Sequence, residues 1–454
     1  MNNKPIFTSS ADVFSWLGNF INLERGQTHK SFQLERMYIM AELAGHPEKA
    51  APVIHVAGSK GKGSVCSMIA SILQEAGMKT AKYMSPHVMD YRERITLNGD
   101  YFDEAIYISA AYELAEITER LMNGDDYDNF NPNENGEEPT FFELLTLYFF
   151  LCARKSNADV MVLETGMGGR LDATNITDPL VSVITVIELE HQEYLGNTIA
   201  EIAGEKAGII KKGRPLILAA QEDEAFGVFK KNAQSKDAQL FYLPELIEIK
   251  NLFVDNNSTR FLLIDTSTKR SIEICVPIPG KIQAENAALA ILAVKKVFPA
   301  ISTEIIVKGI SGLSIPGRFE RIADNPALII DGAHTKKSID LCSDTFTELY
   351  GVDGILIFGC VAGKDLESMA KTLISRFKNI IITTPGTFKK SDPKMIYDTF
   401  RALSTNTNLN IILIENTEEA VRHAINLAME KNLPILGTGS FYLAAEVKKI
   451  NRCL

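Results

Sequence analysis

The stretch His55-Val56-Ala57-Gly58-Ser59-Lys60-Gly61-Lys62-Gly63-Ser64 constrains the fold of this chain more than any other. An apolar run, Pro52 to Ala57, leads into it and reads as a buried strand. Val65 to Ala76 follows with apolar residues at helical spacing. A strand, a glycine-rich turn and a helix in succession aim backbone N–H groups and a helix N-terminus at a phosphate. Lys62 adds a mobile positive charge for the outer phosphates, and Ser64 a hydroxyl for a magnesium ion. The spacing is G-x-x-G-K-G-S, two residues shorter before the lysine than the common G-x-x-x-x-G-K-[ST]. A glycine-rich turn with no phosphate is the plainer alternative. The lysine and both flanking elements agree instead with ATP held by Gly58, Gly61, Lys62, Gly63 and Ser64.

A chain of 454 residues exceeds one ordinary domain, so two are expected. With 46% apolar and 23% charged residues, the composition is that of a soluble globular protein. The net charge of −10 argues against a nucleic-acid partner, which would want a basic face. An anionic substrate must then be drawn by local positive groups. Cys66, Cys152, Cys275, Cys342, Cys360 and Cys453 form no C-x-x-C pair, which suits reduced thiols better than disulfides or a zinc site. Met1 to Pro5 leads into no apolar h-region, and no apolar run approaches ~18 residues. A cytoplasmic location, without membrane association, is the expectation.

Strand-like and helical runs alternate, which favours α/β architecture with largely parallel sheets. Asp159 to Leu163, Val181 to Ile187 and Leu216 to Leu218 read as strands, and Pro139 to Ala153 and Asn197 to Ile210 as helices. Leu240 to Val276 changes to short alternating strands around Asn256-Asn257, a β-rich excursion, before helical periodicity returns at Ala284 to Val297. Gly312 to Gly317 has little periodicity, and the domain boundary is placed there, dividing 1–313 from 314–454. Beyond it, strands at Ala327 to Ile330, Ile355 to Phe358, Ile380 to Ile382 and Ile411 to Ile414 alternate with helices, a smaller doubly wound domain. Asn123 to Glu138 is polar and acidic and reads as an exposed or disordered loop.

Several polar residues fall at strand ends, where parallel α/β proteins bind ligands. Glu164 follows the run Asp159 to Leu163 and is a natural magnesium ligand beside a phosphate loop, or a plain turn cap. Ser85 follows the strand-like Thr80 to Met84, and His191 follows Val183 to Ile187; a lone histidine is more often packed or solvated than functional. Lys206, among small and apolar residues, is expected to be partly desolvated, which favours its neutral amine. An ordinary solvated helix lysine is its plainer reading. Arg318, Asp331 and His334 lie near the domain junction. An arginine there stabilises a transferring phosphoryl group or merely makes a junction salt bridge.

In order along the chain, these stretches resemble the folylpolyglutamate synthase/dihydrofolate synthase family of the wider Mur ligase group. The resemblance runs from Leu34-Glu35-Arg36-Met37 through the glycine-rich loop, Tyr83 to His87, Thr140-Phe141-Phe142-Glu143, Glu164 to Asn175 and Glu201 to Ile210. It closes with Asn286-Ala287, Arg318, Asp331 to His334 and Gly439-Ser440. It implies an N-terminal P-loop ATPase-type domain with a mostly parallel sheet and a small β-rich part, and a C-terminal Rossmann-like α/β domain. By the same resemblance, Gly61 to Ser64 hold the ATP phosphates, and Ser64, Ser85, Glu164 and His191 bind magnesium. Lys206 matches a lysine carried as a carbamate that serves a second magnesium. Asn286, Arg318 and Asp331 match nucleotide contacts, and His334 and Ser440 match the region receiving glutamate. Lys62, Lys206, His191 and Arg318 would carry the catalysis.

The implied reaction joins L-glutamate to dihydropteroate, to folates or to both, through an acyl phosphate, in a monomer. A Mur-type ligase acting on another acid, or a nucleotide-binding protein without ligase activity, are the alternatives. Departures from the family pattern are Glu190-His191 for Asp-His, Glu188 for a small glycine, and Thr335-Lys336 for Asn-Pro. An arginine expected near Pro385 appears as Lys389 or Lys390, and the Asn123 to Glu138 stretch is an insertion. None touches the glycine-rich loop or a proposed metal ligand.

Overall fold

Short β-branched runs that are apolar at every position can form only strands covered on both faces. Val53–Ala57 (β1) comes close to such a run: it is buried at all five residues, four of them apolar and one, His55, polar. A computed structural model describes residues 5–22, 34–123, 138–386, 390–404 and 409–453. In it β1 lies inside an eight-stranded sheet with Thr80–Tyr83 (β2), Ile95–Leu97 (β3), Asp100–Tyr101 (β4), Val160–Glu164 (β5), Val181–Ile184 (β6), Leu216–Leu218 (β7) and Leu240–Tyr242 (β8). The order is β4-β3-β2-β5-β1-β6-β7-β8, parallel from β2 to β8, with β3 and β4 antiparallel at one edge.

The β-rich excursion is divided. Its first strand, β8, pairs in parallel with β7 and extends the large sheet. Ile247–Val254 (β9), Thr259–Asp265 (β10) and Ser271–Val276 (β11) form a separate antiparallel sheet, joined by a turn at Asp255 to Ser258. Local alternation does not distinguish these cases, because sheet membership depends on which edge is free to pair. Glu320–Asp324 (β12), Ala327–Ile330 (β13), Ile355–Phe358 (β14), Asn379–Ile382 (β15), Asn410–Leu413 (β16) and Ile435–Thr438 (β17) make a six-stranded sheet ordered β12-β13-β17-β14-β15-β16. Only β12 runs antiparallel in it. The fold is therefore two-part α/β with mostly parallel sheets.

Helix starts are set by caps. Thr140 and Thr198 each accept from the backbone N–H of a glutamate three residues on, which in turn binds back, so the helices begin at Phe141 and Ile199. The strand expected over Val181 to Ile187 stops at Ile184, and beyond it the Val186 carbonyl accepts from Ser59 N–H at 2.9 Å in the glycine-rich loop. The insertion expected at Asn123 to Glu138 lies, from 124 to 137, outside the described residues.

Behind the loop, the helix Lys62–Glu75 buries Val65, Met68, Ile69, Ile72 and Leu73, each burial worth about 1.5–3 kcal/mol. It packs on helices Ile282–Val297 and Thr303–Ser311. A Cβ added to Gly309 would stand 2.6 Å from the Ile72 Cα, so two backbones meet there. Gly309→Ala is expected to separate these helices and destabilise by about 1–3 kcal/mol, read from urea denaturation. An unchanged midpoint would show that the contact yields.

Candidate active site

The carboxyl ends of β1, β2, β5 and β6 open on a cleft of about 710 Å³, closed on its far side by loops of the six-stranded sheet. Gly61, Lys62, Gly63, Ser85, Glu164, His191, Arg318, His334 and Ser440 all line it. Gly58, Ser64, Lys206, Asn286 and Asp331 stand one layer behind. The sequence separated these residues by hundreds of positions; the two sheets bring them to one place.

The loop geometry requires glycine. Gly61 caps the helix Lys62–Glu75 in the left-handed region, φ 88°, and a Cβ there would fall 2.4 Å from Asn286 Oδ1. At Gly58, φ 144°, a Cβ would stand 1.8 Å from Thr185 Oγ1. Thus Asn286, buried and bonded to Gln283, defines the floor on which the loop rests. Gly61→Ala is expected to strain the turn and displace Asn286, weakening ATP binding about tenfold. Calorimetric ATP titration checks this, and unchanged affinity would refute the tight approach.

Two lysines share one carbonyl. Lys62 Nζ and Lys206 Nζ each donate to Gly58 O at 2.9 Å. Lys206, 1% exposed, also pairs with Glu190 Oε1 at 2.9 Å, and Lys60 lies 3.8 Å from the other Glu190 oxygen. Burial pulls the Lys206 amine down to about 8; Glu190 resists, and the neighbouring Lys62 and Lys60 add to the fall. Burial alone would raise Glu190, but Lys206, Lys62 and Lys60 outweigh it and hold the carboxyl well below its usual range. Lys206 is thus a desolvated amine, the expectation from its apolar neighbours.

Glu164 is 3% exposed. Burial raises its carboxyl, opposed by Lys62, the Ser85 N–H at 3.1 Å, Arg318 and Lys82. A Cβ on Gly63 would lie 3.3 Å from Glu164 Oε2, which puts this carboxylate against the first helical turn, where Ser64 sits buried. A buried carboxylate beside a hydroxyl and a phosphate loop suits magnesium, which takes oxygen donors and keeps room for water and phosphate. Among the described residues no three His, Cys, Asp or Glu side chains converge, so soft-metal coordination finds no counterpart. His191, in the left-handed region at φ 48°, is exposed at the rim. Lys206 as an amine offers no oxygen; as a carbamate it would face Glu190, two anions that only an intervening cation tolerates.

The opposite wall is built by a clamp. Asp331 accepts from Phe319 N at 2.8 Å and Ala333 N at 2.7 Å, pinning the turn that carries Arg318. Arg318 lies over the Phe441 ring at 4.4 Å, and its charge and that of Glu164 act on one another across the cleft. His334 Nδ1 lies 2.8 Å from Gly332 O, an acceptor only, so Nδ1 carries the proton and Nε2 its lone pair. Burial, with Lys60 and Lys364, holds this imidazole neutral. Ser440 caps the helix Phe441–Arg452, whose N-terminus therefore faces the cleft, a favourable place for a carboxylate.

Arg36, Phe142, Glu143 and Asp172 also line the cleft. The Arg36 guanidinium grips Glu143 at 2.8–3.1 Å, both buried, and the Phe142 ring covers Gly166 so closely that a Cβ there would meet it at 2.3 Å. Sequence reading missed Lys60, Lys364 and Asp172 as members of the cleft. Lys60 was visible in the glycine-rich loop, and Lys364 follows β14 at its carboxyl end. Of the two basic candidates near Pro385, Lys390 lines the cleft and Lys389 is outside the described residues. Of the departures in the sequence, Glu188 pairs with Lys337 at 3.3 Å, while Lys336 pairs with Asp340.

The Mur ligase middle domain matches residues 56–294, and the Mur ligase glutamate ligase domain residues 317–441. The chain is 31% identical over 450 residues to the dihydrofolate synthase/folylpolyglutamate synthase of Bacillus subtilis, spanning 98% of this chain and 99% of that one. It is 29% identical over 443 residues to the folylpolyglutamate synthase of Lacticaseibacillus casei, spanning 96% and 97%. The structure of Mycobacterium tuberculosis folylpolyglutamate synthase complexed with ADP and AMPPCP superposes with a TM-score of 0.86 at 25% identity, covering 97% and 98%. With its glycine-rich loop, buried acid and two-sided cleft, the chain belongs to the Mur ligase family, in the branch of the folylpolyglutamate and dihydrofolate synthases.

Proposed function

We propose that this protein is an ATP-dependent ligase that adds L-glutamate to dihydropteroate, to folates or to both. The observation that carries the reading is one cleft in which Lys62, Glu164 and Arg318 face His334 and the Ser440 helix N-terminus. Residues 1–313 supply the ATP site and 314–454 contribute to nucleotide and glutamate binding. Ser64, Ser85 and Glu164 hold a first magnesium ion, and His191 with carbamylated Lys206 a second. Magnesium, when bound, offsets charge on the phosphates.

A carboxylate resists attack by an amine because its leaving group would be oxide. Transfer of the γ-phosphoryl of ATP makes an acyl phosphate, whose leaving group is phosphate. Lys62 from one wall and Arg318 from the other offset the charge of that step, in a cleft where few waters compete. The acid docks beside Arg36, Phe142 and Asp172, and its carboxylate reaches the phosphate loop. The glutamate carboxylate rests on the helix N-terminus at Ser440. The Nε2 lone pair of His334 accepts a hydrogen bond from the glutamate amine and orients it toward the acyl carbon. The amine attacks as its free base, phosphate leaves, and the proton shed by the nitrogen goes to that phosphate. Closure of the two walls excludes water that would otherwise hydrolyse the acyl phosphate.

The test is product mass after incubation with ATP, magnesium, glutamate and either dihydropteroate or tetrahydrofolate. One glutamate gained on dihydropteroate marks a dihydrofolate synthase, growing tails on tetrahydrofolate a polyglutamylating enzyme, and both a bifunctional one. ADP release with some other acid, and none with these, would move the reading to a different Mur-type substrate. Bound ATP without acid-dependent turnover would overturn it.

A further inference from the structure

His55 is fully buried within β1, and none of the proposed steps uses it. Its Nε2 lies 2.7 Å from Thr174 Oγ1, while its Nδ1 is buried and meets no hydrogen-bond partner among the described residues. Thr174 has a single hydroxyl proton. That hydroxyl lies 2.5 Å from Asp172 Oδ1, which also accepts the Thr174 N–H at 3.1 Å, and Asp172 Oδ2 accepts from Met167 N at 2.9 Å. Burial raises the Asp172 carboxyl, opposed by the Thr174 hydroxyl and the Met167 and Thr174 N–H groups, which favour its ionised form. As a carboxylate it only accepts, so the hydroxyl proton goes to Asp172 and the remaining Thr174 lone pair receives a proton from His55. The chain of donors then runs one way, from His55 Nε2–H through Thr174 to Asp172.

Asp172 ties Met167 and Thr174 together, and the segment between them lines the cleft. We infer that His55 is a positioning residue: as the Nε2–H tautomer it orients Thr174 and, through it, the Asp172 carboxylate and the wall against which the acid substrate docks. The inference rests on the proposed reaction only for the identity of that substrate. Burial, aided by the nearby Lys211 charge, holds the imidazole neutral, pushed down to about 3, so the same tautomer persists through the working pH range. A core histidine packed for volume alone would have no reason to meet the Thr174 hydroxyl at 2.7 Å. The orphaned Nδ1 is the cost of this arrangement, since the opposite ring orientation would leave Thr174 without its donor.

The experiment is steady-state kinetics with dihydropteroate, ATP, glutamate and magnesium on His55→Leu, His55→Gln, Thr174→Val and Thr174→Ser, each with its melting temperature. His55→Leu and Thr174→Val are expected to raise KM for dihydropteroate about tenfold while kcat and KM for ATP stay within about threefold. His55→Gln keeps a donor near the Nε2 position and Thr174→Ser keeps the hydroxyl, so both are expected near wild type. If His55→Leu does not fold, the Thr174 pair decides alone. An unchanged KM for dihydropteroate, or equal rises for dihydropteroate and ATP, would overturn the inference. Nitrogen NMR of the His55 ring provides a reading independent of activity, with a protonated Nε2 expected and a protonated Nδ1 contradicting the relay. A wild-type protein that forms no product from dihydropteroate would instead count against the proposed reaction, and the ring tautomer would still decide the relay.

Discussion

Lys62→Met is expected to lower kcat by roughly 10³-fold while leaving the fold intact. The side chain donates only to Gly58 O, at 2.9 Å, and is half-buried, so its loss costs the folded state about 1 kcal/mol. In the reaction the same ammonium meets charge moving between phosphate oxygens inside a cleft walled by protein, where one fixed donor is worth far more than in water. Single-turnover ADP formation beside a melting curve checks both halves. A kcat within about threefold of wild type would remove Lys62 from the phosphoryl step.

Lys206→Met should be nearly as damaging, and for a second reason. It leaves Glu190 buried with Lys60 at 3.8 Å, a loss of about 3 kcal/mol or more in stability. Turnover is expected to fall at least ~100-fold, because the carbamate oxygens would no longer be available to a metal. With the amine pulled down to about 8, its neutral fraction is roughly one tenth at pH 7 and climbs through one half near pH 8. Carbon-13 bicarbonate should therefore label the wild-type protein more strongly as pH rises from 7 to 9, and should not label this site in the variant. Unchanged turnover in Lys206→Met would sink the metal role, whatever its melting temperature.

The glycine-rich loop, the strand-end acid Glu164 and the β1 and β13 strands could be read from the chain alone, because each is a local pattern with a local cause. Glycines at 58 and 61 announce backbone that bulkier residues cannot adopt, and a pentapeptide apolar at all but His55 announces a strand covered on both faces. Lys206 was legible as a desolvated amine from its small and apolar neighbours. Its partner was not: Glu190 looked only like an odd substitution, and its role appears when 16 residues of chain fold back to place it 2.9 Å away. Asn286 and Asp331 match nucleotide contacts by resemblance; in the structure Asn286 lies against Gly61 and Asp331 holds the turn that carries Arg318.

By itself, then, the sequence determined where the strands and the phosphate loop lie and which chemistry the loop suits, since those follow from backbone sterics and hydrophobic period. Only the tertiary structure decided that β8 joins the large sheet while β9 does not, that Lys62 and Lys206 share one carbonyl, and that His55 reaches Asp172 through Thr174. Each of those is a pairing between groups distant in the chain, chosen by which edges and which buried donors are left unsatisfied after local structure has formed.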